Sequence, residues 1–219
     1  KKLSEFKNLK VHIKFLPLIT ERKLVTNKIE VFDGKIDMPS VFAKPLIVKS
    51  IQLEGDLNPN NKELVVDKFS TSINEDFYEG FANMNITDSK ATGTLTKLSR
   101  KKIFKGLDLN SEKMKFTVDK NEFNIEGNAT LGNVEVFLKG KKNYKDKTKF
   151  ASKYSLAGKV NESDFEKSFN LKIEPYIKGP IDFNATYFVF GKNKEIIKTS
   201  NNLIDAELSI PALNIIKYK

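Results

Sequence analysis

Apolar and polar residues alternate along most of this chain with a period of two. Phe116, Val118, Phe123 and Ile125 alternate with charged or small neighbours on either side of Asp119-Lys120-Asn121. Such a run predicts a strand with one apolar face and one wet face, because successive side chains of a strand point to opposite sides. Leu9, Val11, Ile13 and Phe15 predict a first strand, which Pro17 either ends or places at a sheet edge. Ile29 to Phe32 leads into Asp33-Gly34, a two-residue hairpin signal, with Ile36 and Met38 beyond it. The segment from Pro39 to Pro45 breaks the rhythm and has room for one helical turn. Ile47, Ile51, Leu53 and Leu57 resume it, followed by Leu64, Val66, Phe69 and Ile73, and then by Ala82, Met84 and Ile86. Turns are expected at 58–61 and 74–76.

The second half continues in the same way. Residues 88–98 read as a weaker strand, and 100–112 fit a strand or a loop. A hairpin over 114–118 and 123–129 leads to Val134, Val136 and Leu138, and then to an expected charged loop from Lys139 to Thr148. Tyr154, Leu156 and Val160 alternate again. Residues 161–167 predict a short helix, capped by Asn161 or Ser163 with acidic residues in its first turn. Leu171 and Ile173 follow. Ile181 to Val189 is the cleanest long strand, turned at 191–194 towards Ile196, and Leu208 and Ile210 close the series before Pro211.

Short turns between strands make sequential neighbours antiparallel, so the chain reads as an all-β meander with at most one or two short helices. Too few helices are available to cover a long sheet. Its apolar face must pack on another sheet, or stay open as a trough. The expected fold is an extended, twisted antiparallel meander curled into an apolar groove, a surface suited to acyl chains because apolar contact needs no fixed geometry. The trough candidates are Ile51, Leu53, Phe116, Val118, Phe123, Ile125 and Val134, continuing through Val136, Leu156, Ile181, Phe183, Leu208 and Ile210.

Composition narrows the chemistry. The chain has 219 residues, enough for one large β domain, with a possible sub-boundary near 99–112. It has no Cys, which excludes disulfides, zinc–thiolate sites and thiol catalysis. The formal net charge of +10 favours phosphate-bearing surfaces, although its lysines are dispersed; the one compact basic run is Ser99-Arg100-Lys101-Lys102. The chain lacks an initiator Met and any long apolar stretch, so it reads as a fragment of a longer protein, and any membrane anchor would lie outside it.

Catalytic signatures are weak. His12, the only histidine, lies on the polar phase of its strand and reads as a surface residue. Glu54 and Asp56 share a phase, but such alternation is ordinary for a solvent face. Gly127 to Gly132 has phosphate-loop glycine spacing without the following Lys-Ser/Thr. Asn-x-Ser/Thr sequons begin at Asn85, Asn128, Asn161 and Asn184 and read as chance in an Asn-rich chain. Phe77-Tyr78 and Tyr187-Phe188 have no basic residue on their own strand phase, which argues against nucleic acid. The expectation is a non-enzyme with no metal or cofactor.

Several segments carry a resemblance. Leu203-Ile-Asp-Ala-Glu-Leu-Ser-Ile-Pro-Ala-Leu-Asn-Ile-Ile-Lys217 looks like the strand-Pro-Leu-x-x-x-Lys segment of the AsmA-like envelope proteins of the YhdP type. Gly179 to Tyr187, Gly127 to Phe137 and Tyr154 to Val160 resemble the family's Gly-Pro strand and middle hairpins. The similarity spans roughly residues 45–219. Asn214 and Ile215 stand where family members often carry a Trp. The resemblance implies a β-groove protein, anchored in the inner membrane and crossing the periplasm, that moves phospholipid towards the outer membrane. It carries over no catalytic residues. A closed structural β module, or a groove for lipopolysaccharide or lipoprotein, fits the same pattern of strands.

Overall fold

The computed structural model describes residues 4–20, 25–36, 45–58, 62–104, 106–145, 150–170, 172–173, 176–190 and 194–218. In chain order these form β1 (Ser4–Lys14), α1 (Phe15–Thr20), β2 (Val25–Ile36), β3 (Leu46–Asn58), β4 (Glu63–Ile73), β5 (Asp76–Asn85), β6 (Lys90–Phe104) and β7 (Leu107–Val118). There follow β8 (Glu122–Leu131), β9 (Val134–Asn143), β10 (Ser152–Val160), α2 (Glu162–Phe169), β11 (Ile177–Lys178), β12 (Ile181–Val189), β13 (Glu195–Asn202), β14 (Glu207–Ile210) and β15 (Ile215–Lys217). The fold is the expected all-β antiparallel meander, with two short α-helices among the described residues. Twelve strands make one sheet in the order β1 to β10, β12, β13, and β11, β14 and β15 make a second. The large sheet has β1 and β13 as its edges and does not close into a barrel.

The chain divides into two compact units, one of residues 1–100 and 113–120, the other of 101–112 and 121–219. In the first unit, register shifts fall at Glu54/Gly55, Val66/Phe69 and Glu79/Gly80 on three successive strands. A bulge adds a residue to one strand, bends it and tightens its twist. Three in neighbouring strands therefore crease the sheet along one line. At Gly55 and Gly80 a Cβ would strike the backbone of the adjacent strand, at Val65 and Thr94. Met114 is fully buried here, alongside buried Val48, Val66, Leu95 and Leu98.

In the second unit, α2 follows β10 directly. Asn161 caps it as expected, its side chain accepting from the Asp164 amide at 2.9 Å. Its Ser168 hydroxyl accepts from the Asn133 amide at 3.3 Å, which sets the helix against the β8–β9 turn. Leu131, Val134, Val160, Ile181 and Ala206 are buried at this end. Lys217 ties down the final segment: its ammonium donates to the carbonyls of Leu203, Ile204 and Ala206 at 2.8, 2.9 and 2.7 Å.

Several sequence expectations need correction. Asp33-Gly34 is not a hairpin turn, because β2 runs straight through it. Asp33 alone takes a left-handed φ, of 51°, whereas the expected turn needs two such residues. Gly34 is instead the site over which the Phe6 ring lies. Phe15 begins α1 rather than ending β1; Pro17 falls in the first turn, where its missing N–H forfeits no helical bond. The supposed loop from Lys139 is strand to Asn143, since Lys139 and Lys141 occupy the solvent face while Gly140 turns inward. Of the expected weaker strand over 88–98, residues 90–98 belong to the longest described strand, β6, of 15 residues, which also takes up 100–104, while 88 and 89 lie in the turn before it. Ile86 sits in a turn and Ile173 in no strand. Met38, the helical turn expected within 39–45, Leu171 and parts of the turns at 58–61 and 191–194 fall outside the described residues.

Truncating a sealed position and an open one should separate sharply. Met114→Ala should cost about 2–5 kcal/mol in urea unfolding, as a buried Met leaves a cavity. Leu9→Ala, at a side chain 64% exposed, should cost under about 0.5 kcal/mol. Equal losses would contradict the assigned burial.

Candidate functional site

Residues directly opposed on antiparallel strands share a face. In the first unit this rule lines up Val11, Ile29, Leu53 and Phe69 across β1 to β4. A parallel row holds Leu9, Val31, Ile51, Thr71, Tyr78 and Leu98. Phe69 meets Phe116 edge-on, with centroids 6.2 Å apart. The Phe116 ring lies over Gly93, where a Cβ would come within 2.6 Å of it. Val118 shares the phase of Phe116. The expected residues Ile51, Leu53, Phe116 and Val118 thus belong to one apolar surface. It is open at the β1 edge, where Leu9 and Val11 are exposed, and sealed at Leu95 and Leu98.

The second unit has its own apolar face. Ile125, Gly140, Tyr154, Tyr187 and Ile197 form one row across β8, β9, β10, β12 and β13. The next rows towards α2 hold Gly127, Leu138, Leu156 and Ala185, then Ala129, Val136, Gly158 and Phe183. Leu131 with Val134, and Val160 with Ile181, complete it. Phe123 lies beyond Ile125 on the same phase. Seven expected residues are therefore brought together: Phe123, Ile125, Val134, Val136, Leu156, Ile181 and Phe183.

Their exposure is graded. Val134, Val136 and Ile181 are buried, so they form sealed core beside α2 and not an open trough wall. Phe123, Ile125, Leu156 and Phe183 are half-buried, and Ile197 is 53% exposed. Leu208 and Ile210 lie elsewhere, on β14 of the three-stranded sheet, opposite Lys217 and Ile215. The large sheet's apolar rows do not include them.

The floor becomes more polar away from α2. Tyr154 and Tyr187 stack there at 6.5 Å. Burial raises the Tyr187 pKa above its ordinary value, helped by a hydrogen bond to Glu195 and by Tyr154. Tyr144 is raised too, by burial and then by Tyr154. Glycine keeps this floor shallow: at Gly158 a Cβ would meet the Phe183 ring at 3.0 Å, so the ring can lie flat across the neighbouring strand. These tyrosines and glycines carried little signal in the sequence, because only cross-strand register shows what stands beside them.

The opposite face is a lattice of ion pairs. Lys28 bridges Glu30 and Glu54 at 3.3 and 3.4 Å, and His12 lies 2.9 Å from Glu30. The hydrogen bond with His12, followed by that from Lys28, holds Glu30 below the usual carboxylate range. Asp56 pairs with Lys14 at 2.5 Å, so Glu54 and Asp56 are each engaged by a lysine. In the basic run, Arg100 pairs with Asp76 and Lys101 with Asp108. Among the described residues no group of three or more His, Cys, Asp or Glu could hold a metal, and no helix is long and apolar enough to cross a membrane. The Gly127–Gly132 segment is strand β8 and its turn, with no helix after it. One reading made along single strands fails across them: Lys97 sits over Phe77 at 5.6 Å, and Lys153 and Lys198 over Phe188. The basic neighbours come from adjacent strands.

No protein-family model, curated protein or solved structure matches the chain.

The raised tyrosines give a signed prediction. Their folded pKa values exceed the unfolded value near 10.0, so the unfolded chain loses these protons first as pH rises. The contribution of these two tyrosines to stability should be level below about pH 10 and fall above it. Phenolate absorbance should show late-titrating groups, and Tyr187→Phe should remove one and soften the alkaline fall. A single ordinary titration of all tyrosines would contradict this.

Proposed function

We propose that this chain is a lipid-shielding β module, whose half-open apolar face in the second unit holds an acyl chain. One observation carries the reading. The face runs from sealed aliphatic core beside α2, through half-buried Phe183 and Leu156, to a row that holds Ile125 and the stacked tyrosine pair. That order of surfaces suits an amphiphile with its tail towards α2 and its head towards the tyrosines. Burying a tail is worth about 0.8 kcal/mol per methylene, so about six methylenes contribute about 5 kcal/mol before the cost of association. Together with the resemblance to AsmA-like envelope proteins, this supports a role in a longer, inner-membrane-anchored protein of the periplasm. There it would help carry phospholipid between the inner and outer membranes. The cargo is acyl chain, the role is non-enzymatic, and nucleic acid is not a partner in this reading.

Buried Val134, Val136 and Ile181 favour a rival, a structural β module with a dry core. A groove for lipopolysaccharide or lipoprotein would share the apolar face and differ only in cargo.

Titration of the purified protein with a fluorescent fatty-acyl probe, without detergent, separates shielding from a dry core. Saturable uptake is expected. Ile125→Glu should weaken it at least about tenfold, because a carboxylate then stands on the apolar face where the tail enters, while circular dichroism still reports strand. Absence of uptake, or equal uptake by a folded Ile125→Glu variant, would contradict the proposal.

A further inference from the structure

The end of the second unit farthest from α2 carries a distinct surface on its solvent face. Phe188 on β12 lies between two lysines. Lys153, directly opposite on β10, holds its ammonium 5.6 Å from the ring centroid. Lys198, one pair along on β13, holds its own at 5.9 Å. Phe150 meets Phe188 edge-on at 6.2 Å, and Phe190 stacks on it at 6.1 Å. On β9 the neighbouring Lys139 and Lys141 are neutralised by Glu126 and Glu122. Among the described residues, Lys153 and Lys198 have no carboxylate partner. Two cations with no carboxylate partner among the described residues therefore flank a cluster of three phenylalanines.

We infer that this surface docks on an anionic lipid bilayer, with Lys153 and Lys198 against headgroup phosphates and the phenylalanine cluster at the boundary of headgroups and tails. Charge complementarity selects the partner. The chain carries a net charge of +10, anionic leaflets attract basic patches, and aromatic side chains favour the interfacial layer. A single-stranded nucleic acid fits less well. Base stacking needs a free ring face, whereas the faces of Phe188 are taken by lysines and by Phe190. Docking stands apart from acyl-chain shielding, since it uses the opposite face of the sheet.

The test is sedimentation of the whole chain with vesicles of phosphatidylcholine alone or mixed with phosphatidylglycerol. Binding is expected only to the anionic vesicles and should fade with added salt. The pair Lys153→Glu and Lys198→Glu should weaken it at least about tenfold, given about fivefold for each lysine near a charged surface. Lys90→Glu with Lys115→Glu, exposed positions in the first unit, gives the same net charge and should bind like the parent. Phe188→Ser, with no change of charge, should also weaken binding. Should the reversed pair misfold, Lys153→Gln with Lys198→Gln repeats the comparison more gently. Indifference to phosphatidylglycerol, equal loss in both charge-reversed pairs, or tighter binding to a single-stranded oligonucleotide through the same lysines would overturn the inference. Fluorescent acyl-probe uptake should be unchanged by the Lys153 and Lys198 substitutions, so failure of docking and failure of shielding are read separately.

Discussion

Hydrophobic cover is the constraint on which this structure depends. A two-faced strand can leave its polar side to water, but its apolar side must be buried against something. Among the described residues there are two α-helices for this task, of six and eight residues. In the second unit α2 lies at one end of the apolar face, where Leu131, Val134, Val160 and Ile181 are sealed. At the far side Ile197 stays largely exposed. In the first unit the cover likewise fails towards β1, where Leu9, Val11 and Ile13 face water. Apolar surface left in contact with water forgoes about 25 cal/mol per Å². A lipid tail laid along it would recover part of that free energy.

The polar face explains how such a sheet can tolerate an incomplete core. Opposite charges stand directly across from one another, Lys28 from Glu54 and Lys139 from Glu126, and cross-strand pairs fix register. Each exposed pair contributes little alone. Their alternation with apolar residues contributes more, because a slip by one residue would carry every charge onto the apolar side. Bulges then bend the first unit's strands, and glycines facing aromatic rings let the rings lie flat. Both features shape a shallow apolar surface without adding covering elements.

Much of this was legible in the sequence, for a simple reason: period-two alternation is a local signal. It located the strands around Phe116, Ile125, Val136 and Ile181, and the Asn161 cap announced α2. What the sequence concealed was relational. Asp33-Gly34 has the composition of a turn, but its strand continues because Phe6 on the neighbouring strand packs over Gly34. Lys139 to Asn143 looks like a charged loop when read alone, and becomes a strand once Glu126 and Glu122 stand opposite. Leu208 and Ile210 alternate like the other candidates, yet pair in a separate sheet. The Phe188 surface was hidden for the same reason, since its lysines arrive from β10 and β13. Val134, Val136 and Ile181 were found as apolar-face residues, but alternation gives a side chain's phase and says nothing of what covers it.

The claim that an acyl chain completes the cover of this face is tested most directly by native mass spectrometry of the protein purified without detergent. The expected spectrum contains the polypeptide with added masses of glycerophospholipids, which are lost on delipidation and regained on incubation with phospholipid. A bare polypeptide mass that stays bare after that incubation would contradict it.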